Sequence, residues 1–395
     1  MKTDSYFNVV VLAVANAFAF ASIPLLLFIA SFVGIQLAPT PDLATVPIAM
    51  SVIGLAIGIL PVSKVTARFG RKISFFLFLW FGVVACLLAS VGVEQKSFNL
   101  FLVASFLFGI SSASIQQFRY AAIECLGREK AATAASIILS GGIVAAFLGP
   151  ELAIIGKDFT LAEYQGSFWL SALSLALASV FILIFKAAVF KDEDNPLSAR
   201  PFREMINPGL FLAICSGAVS YFVMTLIMTA TPLSMHHHFM HSLEDTKFVI
   251  QSHIVAMFLP SLISPFLFRL FGMLNMMKIG LGIYGLTIVT GFFLTSVFGF
   301  WVQLVLLGIG WNFLFVAGTA MLANHYRPED RLKAQAINDS LIFSLQAIAS
   351  ISAGILMARV NWADLVFIGF VPVMLMLGVM FWYYQVKPKK ILEPK

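Results

Sequence analysis

The chain has 395 residues, of which 60% are hydrophobic and only 11% are charged, whereas soluble domains are about 25% charged. This composition indicates an integral membrane protein and leaves no room for a sizeable soluble domain. The net charge of +6 does not indicate nucleic-acid binding, because the cations lie in short loops between apolar runs and not on one amphipathic face.

Apolar runs of about 20 residues, the length that crosses a hydrocarbon layer as a helix, recur along the whole chain. They predict an all-α protein with twelve membrane spans near residues 7–36, 44–66, 73–93, 99–123, 132–155, 166–188, 209–239, 243–270, 275–296, 299–323, 334–358 and 363–384. No cleavage site of small residues follows the first run, so we expect that run to be retained.

Lysine and arginine are distributed unevenly between alternate loops, and this predicts the orientation. One set of loops carries only Lys96, Lys157, Lys247 and Arg359, and the other 21 of the 25 cations lie at the termini or in the alternate loops. Because cytoplasmic loops are enriched in Lys and Arg, both termini are predicted to be cytoplasmic, in a multi-pass inner membrane protein.

A hydrophilic connection in the middle of the chain separates the spans six and six. The predicted units are an N-terminal six-helix bundle at 1–190, a cytoplasmic linker at 191–208 and a C-terminal six-helix bundle at 209–395. An offset of about 202 residues places Gly70 opposite Gly272 and Arg128 near Arg331. Matches in corresponding loops favour an internal duplication, as in many transporters.

The loop after span 2 ends in Arg68-Phe69-Gly70-Arg71-Lys72 and resembles the loop signature of the major facilitator superfamily. The resemblance covers essentially the full chain, although Ser63 and Ala67 replace the signature's Gly and Asp. Span 4 ends in an acid-then-Arg pattern at Glu124, which is also similar to the family.

Membership in this family implies two pseudo-symmetric six-helix bundles, a central cavity lined by spans 1, 4, 7 and 10, and alternating access. Gly149-Pro150 resembles the core of the family's antiporter motif and favours export. The arginine that many proton-coupled exporters carry in span 4 corresponds to Ser105, which slightly favours import, so the direction stays open.

Ionisable side chains at membrane depth are costly and are functional candidates. Asp339 lies near the cytoplasmic end of span 11, where the signature loop meets it in the family. We predict a cytoplasmic gate in which Lys64 or Arg68 pairs with Asp339, together with Gly70, Arg71 and Glu124. The alternative is that Asp339 is satisfied by backbone or water.

Three residues are predicted to couple transport to protons: Glu151, Asp339 and His253. Glu151 follows a helix-bending proline, where a freed backbone group and local water could host a carboxylate. It could equally reach the outer membrane surface. Arg119 is predicted either to pair with Glu124 or to attract an anionic group of the substrate.

Polar and aromatic residues at mid-span on the lining helices are the candidates for substrate contact. They are Asn16, Ser112, Gln116, Arg119, Tyr221, Thr225, Met228, Trp311 and Asn312. Ligand sites are mostly apolar with a few placed polar groups. Packing between membrane helices is the alternative role for such residues.

Four histidines cluster at residues 236–241. His237 and His241 are weak candidates for metal ligands, because imidazole suits Zn, Cu, Ni and Fe. A solvated gate or a pH-sensing cluster is the stronger interpretation. No cofactor is expected, and the chain lacks a phosphate-binding Gly-Lys-Ser/Thr loop, so neither an enzyme nor an ATP-driven pump is predicted.

The sequence therefore predicts a proton-coupled secondary transporter of a small, partly aromatic or amphiphilic organic solute. Its expected partners are that solute, protons and the lipid bilayer, without nucleic acid, and a monomer is expected. Two alternatives remain: an importer of a metal or a metal chelate such as a siderophore, and a drug or metabolite exporter.

Overall fold

The structure is a computed structural model, and it describes residues 2–40, 43, 46–186, 201–357 and 359–386. Every long regular element in these ranges is a helix. In chain order the helices are α1 (Lys2–Leu37), α2 (Val46–Glu94), α3 (Phe98–Gln116), α4 (Phe118–Leu126), α5 (Ala131–Gly156), α6 (Gln165–Ile184), α7 (Phe202–Met205), α8 (Pro208–Leu233), α9 (Leu243–Phe258), α10 (Ser264–Phe293), α11 (Val297–His325), α12 (Arg331–Met357), α13 (Trp362–Ile368) and α14 (Phe370–Val386).

Ten helical segments in the described part of the chain are long and apolar enough to cross a membrane, and the longest of them reverses its direction. α2 has 49 residues and would be about 74 Å long if straight, more than twice the roughly 30 Å of a hydrocarbon core. However, the Ser74 hydroxyl donates over 3.4 Å to the carbonyl of Val62, 12 residues earlier. α2 is therefore a hairpin of two spans.

Gly70 permits this reversal. Its φ of 81° and ψ of 166° leave the helical region and enter one that only glycine occupies readily. Gly272 in α10 has nearly the same values, 75° and 165°, at the position 202 residues later. The same backbone bend therefore occurs at corresponding positions of the two halves, as a duplication would produce.

The predicted span 8 is broken into two pieces. α9 ends at Phe258, and a 3-10 turn at Leu259–Leu262 joins it to α10. Pro260 lies in this turn, where its missing N–H disfavours a continuous helix. One crossing each is made by α1, α5, α6, α8, α11 and α12, and α2 makes two. One more each is made by α3 with α4, α9 with the start of α10, the rest of α10, and α13 with α14, so the described helices make the twelve predicted crossings and the four-residue α7 makes none.

Helices α1 to α6 pack on one another as an N-terminal half, and helices α8 to α14 pack as a C-terminal half. Across the interface between the halves, α2 packs on α12, and α5 packs on α9 and α11. Most of the predicted linker lies outside the described residues, so the boundaries at 190 and 208 remain a prediction.

Candidate functional site

A buried ion pair joins the two halves. Arg119 lies on α4 and Asp339 on α12, and their Nη2 and Oδ1 atoms are 2.5 Å apart. Both side chains are almost inaccessible, at 3% and 1% exposed. A buried charge is tolerated only when it is paired and hydrogen-bonded, so this contact ties the halves together at one defined point.

Three donors converge on one oxygen of the Asp339 carboxylate. The Tyr120 hydroxyl donates to Oδ1 over 2.7 Å, and the Asn338 amide donates to it over 2.9 Å, in addition to Arg119. The other oxygen, Oδ2, has no hydrogen-bond partner among the described residues. Because all three hydrogen bonds go to Oδ1, Oδ2 remains able to accept a hydrogen bond or a proton.

An aromatic wall lies against Arg119. Its members are Tyr221 on α8, Trp311 and Phe315 on α11, and Phe343 on α12. Trp311 and Phe315 are stacked with ring centroids 4.9 Å apart, and the Arg119 guanidinium carbon lies 4.6 Å from the Phe315 centroid. Such a cation–π contact is favourable in a desolvated site and places the charge at the edge of the wall.

Span 4 is interrupted just before Arg119, the residue that contacts Asp339 and the aromatic wall. The span divides at Gln117 into α3 and α4, and the Gln117 amide donates to Ser63 over 3.2 Å. The Gln117 amide oxygen also accepts from Arg71 over 3.4 Å. An interruption within a helix often marks a functional site, and here it separates Gln116 from Arg119.

A small cavity of about 20 Å³ adjoins the ion pair, room for about one water molecule. Its lining includes three predicted substrate contacts, Asn16, Gln116 and Arg119, together with Phe20, Ile115, Ile138, Leu139 and Phe258. Pockets for organic ligands are about 300–1,000 Å³. Admission of such a solute therefore requires the two halves to separate.

Phe258 closes the interface beside this cavity. Its ring contacts Phe20 of the N-terminal half at 5.3 Å and Trp311 of the C-terminal half at 5.9 Å between centroids. Gly142 of α5 makes room for it, since a Cβ there would lie 2.6 Å from Phe258 Cδ1. We call the contact of Phe258 with Phe20 and Gly142 the Phe258 seal.

A second connection joins the halves near Gly70. Arg71 donates to both Glu124 oxygens, over 2.7 Å and 2.5 Å, and to the Gln335 side chain over 2.7 Å. Arg331 lies 3.3 Å from the same Glu124. We call these four residues the Arg71 lock. Bidentate arginine–carboxylate contacts are strong and directional, so the lock holds α2, α4 and α12 together.

The predicted pairing of Asp339 with Lys64 or Arg68 is wrong. Both cations are exposed, and Arg68 lies over the Phe69 ring, whereas Asp339 is buried against Arg119. The alternative pairing of Arg119 with Glu124 is also wrong, because Glu124 belongs to the Arg71 lock. Of the predicted gate residues, Arg71 and Glu124 do contact each other.

Two proton-coupling candidates lie apart from the ion pair. Glu151 is exposed on α5 and does not face the cavity, in agreement with the surface alternative. His253 is fully buried, and its Nδ1 lies 2.8 Å from the Leu304 carbonyl oxygen. Nε2 of His253 has no hydrogen-bond partner in the described chain, but His253 does not line the cavity beside the ion pair.

The predicted substrate contact Asn312 serves helix packing instead. Its amide donates to the Met257 carbonyl over 2.8 Å and to Ser261 over 2.7 Å, and its oxygen accepts from Ser264. These bonds hold the break between α9 and α10. Ser112 donates to the Phe108 carbonyl of its own helix, Thr225 contacts the sulfur of Met224, and Met228 is half-buried.

No group of three or more His, Cys, Asp or Glu in the described ranges could hold a metal ion. His241 lies 2.8 Å from the Thr295 carbonyl oxygen, and the side chain of His237 lies outside what the structure describes. The metal hypothesis therefore gains no support from the residues that can be placed.

The sequence analysis did not identify four residues of the site and its surroundings: Tyr120, Phe258, Phe315 and Gln335. Two of them carried a periodic signal. Phe315 follows Trp311 by four positions, and Gln335 precedes Asp339 by four, which places each pair on one helix face. Phe258 had no such signal, because its role depends on Gly142 and Phe20 in the other half.

Within the described residues, twelve helical crossings in two halves, with a buried charged and aromatic site between them, are the architecture of a multi-pass membrane transporter. The sequence profile of the Major Facilitator Superfamily matches residues 10–239 and 213–395. The chain belongs to the major facilitator superfamily, and it is a transporter rather than an enzyme.

Comparison with known proteins gives relatives that match most of the chain and several structures of the same fold. The chain is 33% identical over 386 residues to the riboflavin transporter RfnT of Brucella anthropi, covering 97% of this chain and 96% of that protein. It superimposes on an outward-facing bacterial homologue of the iron transporter ferroportin with a TM-score of 0.72 at 16% identity, covering 96% and 99% of the two chains. The human organic anion transporter MFSD10 gives 0.73 at 14% identity, with the same coverage. At such identities the structural matches concern the fold alone.

Proposed function

We propose that the protein carries riboflavin, or a solute with a closely similar flat heteroaromatic ring, by proton-coupled alternating access. The observation that carries this proposal is the aromatic wall of Trp311, Phe315 and Tyr221 with the buried Arg119–Asp339 pair at its edge. Flat rings stack on such walls. The similarity to a riboflavin transporter over nearly the whole chain supports the same class of solute.

Asp339 is the proposed proton-coupling group. It is buried at the interface between the halves, and its Oδ2 has no hydrogen-bond partner among the placed residues. Protonation would remove the charge that attracts Arg119 and would weaken the contact between the halves. A change of protonation at this carboxylate is thus linked directly to a change in the position of the halves.

The Arg71 lock and the Phe258 seal are the proposed gates of the transport cycle. The lock joins α2 and α4 to α12 on the side of Gly70, and the seal joins α5 and α1 to α9. Rocking of the bundle 1–190 against the bundle 209–395 would open one contact while the other stays closed. We place the lock on the cytoplasmic side of the inner membrane, because the cation-rich loops lie there.

The proposal is tested with the purified full-length protein in liposomes. Radiolabelled riboflavin uptake is measured with a pH gradient of either polarity and with a protonophore. We expect protein-dependent flux that one polarity increases and the protonophore reduces to the level of facilitated equilibration. An absence of riboflavin flux under all conditions would overturn the solute, and flux that is insensitive to the pH gradient would overturn the coupling.

A further inference from the structure

Two side-chain amides line the small cavity beside the ion pair, one on α1 and the other on α3. They belong to Asn16 and Gln116, and Arg119 lines the same cavity. The volume of about 20 Å³ admits about one oxygen atom with its hydrogens. A single small polar group in this cavity is therefore within reach of both amides.

The orientation of each amide is fixed by its partner. Nδ2 of Asn16 donates to the Ile138 carbonyl over 3.0 Å, and no described residue donates to Asn16 Oδ1. Nη1 of Arg119 donates to Gln116 Oε1 over 3.4 Å, and no described residue accepts from Gln116 Nε2. Because a carbonyl only accepts and a guanidinium only donates, neither amide can be turned round. The pair therefore leaves one acceptor, Asn16 Oδ1, and one donor, Gln116 Nε2, for a ligand.

One acceptor and one donor beside a space of this size complement a hydroxyl group. A hydroxyl donates and accepts through a single oxygen, whereas a carbonyl oxygen only accepts and an ammonium only donates. We infer that Asn16 and Gln116 recognise a hydroxyl group of the transported solute. This inference rests on the proposed function and adds a second part to its site, because riboflavin carries hydroxyl groups along its ribityl chain.

The cavity and the aromatic wall are connected through Phe258 and Arg119. Phe258 closes the cavity from the C-terminal half and contacts Trp311 of the wall at 5.9 Å between centroids. Arg119 also lines the cavity, and its guanidinium carbon lies 4.6 Å from the Phe315 centroid. Opening of the Phe258 seal would let one solute place its ring on the wall of the C-terminal half and its chain against the amides of the N-terminal half.

The inference is tested first with lumiflavin, which has the riboflavin ring and a methyl group in place of the ribityl chain. Equilibrium binding of both flavins to the purified full-length protein is measured by flavin fluorescence. We expect lumiflavin to bind at least about tenfold more weakly than riboflavin, because the two amides then lack a hydroxyl partner. Equal affinity for the two flavins would overturn the inference and leave the cavity as a site for water only.

A variant of the donor amide separates hydroxyl recognition from a structural role. Gln116→Met keeps the length of the side chain and removes the amide. We expect its riboflavin affinity to fall about tenfold and its lumiflavin affinity to stay unchanged, and Asn16→Leu should show the same selectivity. Equal weakening of both flavins, or wild-type riboflavin affinity in Gln116→Met, would overturn the inference.

Gln303→Met is the matched control. Gln303 is a buried glutamine of α11 that does not line the cavity, and neither of its amide atoms has a hydrogen-bond partner among the described residues. Its replacement therefore removes no hydrogen bond and should leave the affinity for both flavins unchanged. Thermal unfolding checks that each variant is folded.

The outcomes also separate this inference from the proposed function. If riboflavin is transported and Gln116→Met weakens both flavins equally, the hydroxyl inference is overturned while the function stands. If riboflavin neither binds nor is transported, both proposals fail.

Discussion

Arg119 and Asp339 are 220 positions apart in sequence, yet their side chains meet at 2.5 Å across the interface between the two halves. Each charge is the other's partner in a region where neither could remain ionised alone. Because the pair also touches the aromatic wall, one contact links the closure of the interface to the chemistry of the candidate site.

Removal of one partner of this pair should be more harmful than removal of both. Arg119→Gln leaves the carboxylate buried without a countercharge, and we expect a loss of about 3–5 kcal/mol in stability. The double variant Arg119→Gln with Asp339→Asn should recover part of that loss. Thermal unfolding monitored by size-exclusion chromatography measures both.

The exposed pair of Lys157 and Glu163, 3.0 Å apart, provides the control for this prediction. Its hydrogen bond to Glu163 raises the pKa of Lys157 above the ordinary value, so the lysine is charged at neutral pH. Lys157→Gln should nevertheless change stability little, since solvent screens exposed pairs. Equal effects of Lys157→Gln and Arg119→Gln would contradict the account.

Gly142→Ala should disturb the Phe258 seal. The new Cβ would lie 2.6 Å from Phe258 Cδ1, so the ring must move and the closed state should lose stability. Adding Phe258→Leu should restore thermal stability, because the smaller side chain frees the space. Gly354→Ala is the control, since a Cβ there meets nothing within 4 Å. Failure of Phe258→Leu to compensate would show that the seal is misassigned.

Arg71→Lys should impair transport even though the charge is kept. A lysine cannot donate to both Glu124 oxygens and to Gln335 in the fixed planar geometry of a guanidinium. We expect the initial uptake rate to fall at least about tenfold, on the scale of a lost charged hydrogen bond. Arg68→Lys, in the same loop but exposed, should retain the rate. A larger loss for Arg68→Lys than for Arg71→Lys would refute the lock.

Gly272→Ala tests the backbone bend separately from packing. A Cβ at Gly272 meets nothing within 4 Å, so any loss of stability comes from its φ of 75°. We expect about 1–3 kcal/mol of destabilisation. Gly282→Ala lies in the same helix, is equally unobstructed and has ordinary helical φ, so it should be neutral or slightly stabilising. Equal stability of the two variants would contradict the conclusion that the bend requires glycine at position 272.

The sequence predicted the helical class and the twelve crossings because hydrophobic length and loop charge depend only on local composition. It also singled out Arg119, Asp339, Trp311 and the loop that contains Gly70. It paired Asp339 with the wrong cation, because the depth of a residue in a span does not reveal which helix face it occupies. Trp311 and Asn312 illustrate this, since adjacent residues on one helix point to different neighbours: the indole to the wall, the amide to the break after Phe258.

Contacts between the halves could not be predicted from the sequence for a second reason. The Phe258 seal exists because Gly142, on another helix, lacks a side chain, and a single sequence gives no indication that the two positions meet. Glu151 is a similar case. Its position after a proline suggested a buried functional carboxylate, but it lies on an exposed face of α5.

The central claim is that the Arg119–Asp339 pair beside the aromatic wall is the solute site. Equilibrium binding of riboflavin to the purified protein tests it most directly, with Asp339→Asn and Trp311→Ala compared against Trp301→Phe, all confirmed as folded by thermal unfolding. We predict that the wild type and Trp301→Phe bind riboflavin and that the other two variants bind at least about tenfold more weakly. Wild-type affinity in both Asp339→Asn and Trp311→Ala would contradict the account.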